Sequence, residues 1–137
     1  MRKLLTLLLM TFCMLSAHAR STEALIEPAR VALPSAEGHA LDTVGVRAAI
    51  VNAAKGRRWI VTAEQAGQLT LSFTKEGKHE VVVSVSYDDA GYQIKYVSSV
   101  GMKYHQGAAG AEIHPYYNKW VNNLSSDILK AVQDARH

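Results

Sequence analysis

Between Asp42 and Gly56 the apolar residues Val46, Ala49, Ile50 and Ala53 recur at spacings of three and four, which is the period of one helix face. Asp42 or Thr43 suits the N-cap, Lys55 falls in the last turn, and Gly56 follows as the expected C-cap. From Trp59 the period drops to two. Trp59–Ala63 reads as a strand. In Gln68–Lys75, Leu69, Leu71 and Phe73 face one way and Thr70, Ser72 and Thr74 the other. Glu80–Tyr87 turns Val81, Val83, Val85 and Tyr87 inward, and Tyr92–Ser98 does the same with Tyr92, Ile94 and Tyr96. Strands with one wet face suit an antiparallel sheet. The turns between them, Ala66-Gly67, Glu76-Gly77-Lys78 and Asp88–Gly91, are short enough for a meander.

Val100–Glu112 has no period and reads as a loop, with Gly107–Gly110 its mobile centre. A second helix begins at His114-Pro115, proline being favoured at a first helical position. Its apolar stripe runs through Ile113, Tyr117, Trp120, Val121, Leu124, Ile128, Ala131 or Val132, and Ala135. The predicted fold class is α+β: a four-stranded antiparallel meander with an N-terminal and a C-terminal helix on one face, in the order α-β-β-β-β-α. Residues 41–137 form that single domain. Residues 20–40, with Pro28 and Pro34, read either as an extended lead-in with a short edge strand at Ala29–Leu33 or as a tether.

The first 19 residues follow a different rule. Arg2 and Lys3 form a positive n-region, Leu4 to Leu15 an apolar core, and Ala17-His18-Ala19 a small-residue cleavage site. That is the pattern of a secretory signal peptide. Its apolar core falls short of the ~20 residues that span a bilayer. Cys13 follows the bulky Phe12, which fits lipoprotein processing poorly, so cleavage is expected after Ala19. The single cysteine then leaves with the leader. The mature chain, starting at Arg20, would have no disulfide, thiolate metal site or Cys nucleophile.

Charge narrows the function classes. Of 15 basic side chains, Arg2 and Lys3 belong to the leader, leaving 13 against 12 acidic ones. The only basic concentration is Lys55, Arg57 and Arg58, which reads as a solvated turn, with a phosphate site as the alternative. No basic stripe or nucleic-acid motif is present, and neither nucleic acid nor a membrane span is expected.

Catalytic patterns are sparse. There is no G-x-S-x-G elbow, and Ser98-Ser99 with His105 and His114 forms only an unspecific Ser–His possibility. His105 and His114 with Glu112 have the residue types for a metal but lack helical ligand spacing. Asp88-Asp89 is explained by its turn. No catalytic residue, metal or cofactor is therefore assigned. The densest concentration is aromatic and amide: Tyr96, Ser99, Tyr104, His114, Tyr117, Asn118 and Trp120 are the candidate ligand-binding residues. The other reading makes Tyr117 and Trp120 core anchors, with tyrosine hydroxyls bonded to the loop.

Several fragments together carry a resemblance. They are Val46-Arg47-x-Ala49-Ile50, Arg58-Trp59, Tyr92-x-Ile94-x-Tyr96-x-x-Ser99 with Met102-x-Tyr104, and Ile113-His114-x-x-Tyr117-Asn118-x-Trp120-Val121-x-Asn123-Leu124-x-x-Asp127-Ile128. Over most of residues 40–132 the chain resembles a family of small proteobacterial envelope proteins, many with lipoprotein signals. The I-H-x-x-Y-N-x-W segment is the most specific part, while Phe12-Cys13 departs from the lipoprotein pattern. The resemblance implies the Gram-negative periplasm and supplies no mechanism. The expected function is thus a non-catalytic periplasmic domain that binds an envelope protein or cell-wall component. Two alternatives stay open: a small hydrolase or metal-dependent enzyme using His105 and His114, and a small-ligand carrier with a pocket between the sheet and the last helix, under Trp120.

Overall fold

The computed structural model describes residues 21–34 and 40–137; the expected leader lies outside the described residues. Helix α1 spans Thr43–Gly56. Its N-cap is Asp42, whose carboxylate accepts the Gly45 N–H at 2.8 Å. Val46, Ala49, Ile50, Ala53 and Ala54 form its buried face.

The expected C-cap, Gly56, lies inside the helix. Gly56 is its last helical residue and Arg57 the C-cap. Arg58 takes the left-handed conformation, with φ of 65°. The Trp59 N–H reaches back to the Ala54 carbonyl and the Arg58 N–H to the Lys55 carbonyl. These two bonds define a Schellman motif with Arg58 at the position that glycine usually fills. Trp59 and Ala54, the hydrophobic pair of that motif, are both buried.

Four strands follow: β3 (Ile60–Gln65), β4 (Gln68–Lys75), β5 (His79–Tyr87) and β6 (Gly91–Val100). They pair antiparallel in sequence order, as the period-two pattern implies. The expected four-stranded meander is nonetheless incomplete. The lead-in adds β2 (Val31–Ala32) beside β6, which makes a five-stranded sheet of order β2-β6-β5-β4-β3. The segment read as a mobile loop forms a hairpin, β7 (His105–Gly107) and β8 (Gly110–Ile113). The lead-in's β1 (Glu23–Ala24) joins β8 and completes a second, three-stranded sheet. Gly101 makes the turn between the sheets possible: its φ is 69°, and a Cβ there would collide with the Lys78 carbonyl.

Helix α2 spans Tyr116–Ala135, with Pro115 just before it in helical geometry. Tyr117, Val121, Leu124, Ile128 and Val132 are buried. They join Leu69, Leu71, Val81, Val83, Val85, Tyr92 and Ile94 of the sheet and the α1 face in one core. Tyr92 donates its hydroxyl proton to the Ser125 carbonyl at 2.7 Å, tying β6 to α2. Arg57 pairs with Asp127 between the helices, and Arg47 with Glu64 between α1 and β3. Among the described residues no helix is long and apolar enough to cross a membrane.

Candidate functional site

The residues singled out by sequence separate into three groups. The first is a tyrosine stack. Tyr96 and Tyr104 lie face to face with centroids 4.6 Å apart, and Tyr117 meets Tyr96 edge-on at 5.6 Å. Ser99 is engaged with the Tyr96 hydroxyl at 2.8 Å. Tyr117 is fully buried, so it anchors the core and offers no contact surface. Its hydroxyl is buried without a hydrogen-bond partner among the described residues, so the expected bond to the loop is not made. Burial, with the nearby Glu27 carboxylate, holds that phenol far above the usual tyrosine range.

Asn118 forms the second group by itself. Its Oδ1 accepts the Ile26 N–H at 3.0 Å, while Nδ2 donates to the Ala24 carbonyl at 2.8 Å and to Glu23 Oε1 at 2.9 Å. This buried amide clamps the lead-in onto α2, and both of its N–H donors are committed to that clamp.

The third group is a run of rings across the end of the molecule. Trp59, Phe73, Trp120, Tyr116, His114 and His79 follow one another with centroid separations of 5.4, 4.9, 5.5, 4.5 and 5.7 Å. Lys75 Nζ sits 5.1 Å over the Tyr116 ring. His114 Nδ1 accepts the Tyr116 N–H at 3.1 Å, so this imidazole caps α2. Desolvation, then the neighbouring His79 and Lys103 charges, hold its pKa below the ordinary histidine value.

His105 lies elsewhere. Its ring bonds the Lys103 carbonyl at 2.9 Å and Glu112 at 3.2 Å across β7–β8. The Lys103 bond, with Glu112, raises its pKa. Among the described residues no three His, Cys, Asp or Glu side chains converge as metal ligands. Neither imidazole is hydrogen-bonded to Ser98 or Ser99.

Trp120 is the link from this ring run to an open space. A cleft of about 350 Å³ lies between the end of α1, β4 and the first turns of α2. Trp59, Phe73 and Trp120 form its apolar wall, Asn123 contributes an amide, and Arg57, Arg58 and Lys119 supply cations. Among the described residues no carboxylate lines it. Arg57 is committed to Asp127, whereas Arg58 and Lys119 form no ion pair among the described residues.

Of the seven sequence candidates, only Trp120 reaches this cleft. Trp59, Phe73, Arg58, Lys119 and Asn123 were not singled out as ligand-binding. By sequence Trp59 and Phe73 read as strand residues, and Arg58 as part of a solvated turn with a phosphate site as the alternative. Comparisons with protein-family models, curated proteins and solved structures find no match.

Proposed function

We propose that this chain is an exported, non-catalytic binding domain of the cell envelope, and that it takes a small ligand in the cleft beside Trp120. The observation that carries the reading is the surface cleft: Phe73 and Trp120 beside the buried Trp59, an amide, and two cations, Arg58 and Lys119, that form no ion pair among the described residues. Its size matches small-molecule sites, which run from roughly 300 to 1,000 Å³. The compartment rests on the leader pattern in residues 1–19 and on the resemblance to proteobacterial envelope proteins.

A test in cells uses a photo-reactive amino acid at position 116. Tyr116 is exposed, adjoins Trp120, and precedes the cleft-lining Lys119 on α2. The same label at Ser84 on β5, outside the cleft, is the control. The reading expects a discrete small adduct from position 116 alone, recovered with the envelope fraction. Equal labelling from both positions, or none from 116 in folded protein, would count against it. Position 117, although central in the motif, points into the core and is unsuitable.

A further inference from the structure

The end of α1 breaks two local rules at once. A Schellman motif favours glycine at the left-handed position, yet Arg58 holds it with φ of 65°. Glycine stands two residues earlier, at Gly56, where the backbone is helical and an added Cβ would touch nothing within 4 Å. Each residue is the less stable choice at its place. Both line the same cleft. Local rules broken side by side against an open cleft point to function rather than to stability.

The chemistry of the lining then selects the ligand. Cations near a helix C-terminus often complement its dipole. Here the terminal carbonyls of Ala54 and Lys55 are already satisfied by the backbone N–H groups of Arg57, Arg58 and Trp59, so the guanidinium of Arg58 is not needed there. Arg57 is held by Asp127. Arg58 and Lys119 remain, beside an apolar wall, with no opposing carboxylate among the described residues.

Resting on the reading of this cleft as a ligand site, the geometry points to a small anion joined to a flat apolar ring: an aromatic carboxylate or an aryl phosphate. Its ring packs against Trp59, Phe73 and Trp120, and its anionic group lies between Arg58 and Lys119. Gly56 keeps the cleft open by placing no side chain in it.

The experiment uses the mature chain and the indole N–H resonances of its two tryptophans, Trp59 and Trp120. They are titrated with 2-naphthoate, 2-naphthyl phosphate and the neutral 2-naphthamide. At least one anion should shift both signals and bind about tenfold or more tightly than the amide, as loss of a charge-assisted contact implies. The tighter anion tells carboxylate from phosphate. Arg58→Gly should lose that preference while its thermal midpoint stays the same or rises. If anions and amide bind alike, the anion assignment fails and the cleft remains a ligand site. If none of the three shifts either tryptophan at millimolar concentration, this ligand class is wrong; an adduct from position 116 would still uphold the broader reading. An Arg58→Gly variant that melts lower would remove the strain on which the argument stands.

Discussion

At the residue scale, Gly56 and Arg58 make measurable statements about stability. Gly56→Ala should stabilise the domain by about 0.5–1 kcal/mol, because helical alanine restricts the unfolded chain and the new Cβ meets no protein atom. Arg58→Gly relieves a left-handed side chain but adds unfolded-state freedom, so its net effect should lie between zero and about 1 kcal/mol of added stability. Urea unfolding of the two variants measures both. Tyr117→Phe deletes a buried hydroxyl that has no partner among the described residues and should fall within about 1 kcal/mol of the parent, on the stabilising side. A loss above about 2 kcal/mol would show that the hydroxyl is bonded in solution.

His114 carries a pH dependence of definite sign. Its folded pKa lies below the unfolded value, chiefly through desolvation and then through His79 and Lys103. The unfolded state therefore binds more protons, and stability falls as pH drops below about 6.5. Protonation also removes the acceptor that caps the Tyr116 N–H. His105, exposed and raised by Lys103 and Glu112, works weakly in the opposite direction. Thermal midpoints at pH 7.5 and 5.5 should differ less in His114→Asn than in the parent; equal differences would rule His114 out as the source.

At the scale of elements, the lead-in is held by one buried side chain as well as by its strands. β1 and β2 are two residues each. Asn118 supplies three further hydrogen bonds to Glu23, Ala24 and Ile26. Asn118→Ala should cost about 1–3 kcal/mol and leave the Ile26 N–H without its acceptor. Hydrogen exchange reads this directly: the Ile26 amide should lose protection, while amides of β5 keep theirs. Retained protection at Ile26 would mean that β1 docks without the clamp. The edge strand β3 is exposed along its whole length, including Ile60 at 66 %. A register shift between Val61 and Ala63 and the charged Glu64 are the features that blunt such an edge.

For the whole molecule, the decisive quantity is where the mature chain begins. Protein recovered from an envelope fraction should have the intact mass of a chain starting at Arg20. It should also lack any thiol titre, because Cys13, the single cysteine of the sequence, lies within the proposed leader. A retained thiol would show that the leader is uncleaved. The surface ion pairs Arg30–Asp88 and Lys130–Asp134 should matter little here, exposed pairs being worth roughly 0–1 kcal/mol.

The sequence by itself determined the parts whose period is long enough to read. α1, β4, β5, β6 and α2 each bury a repeating face, so their apolar spacing reports the core they share. Three of the short strands escaped for the opposite reason: β7 and β8 bury little besides Ile113, and β1 is too brief to show alternation, whereas β2 falls within the edge strand that one reading of the lead-in places at Ala29–Leu33. The aromatic concentration near Trp120 was visible, but its division was not. Tyr117, Asn118 and Trp120 are near neighbours in sequence, yet helical rotation sends the first two inward and leaves the third at the margin of a cleft. Only the tertiary structure brought Arg58 and Trp59, from the end of α1, beside Lys119 and Trp120 of α2. Two helices over one sheet are legible in their apolar faces, but which residues at their ends meet depends on how the helices pack together, which no local pattern encodes.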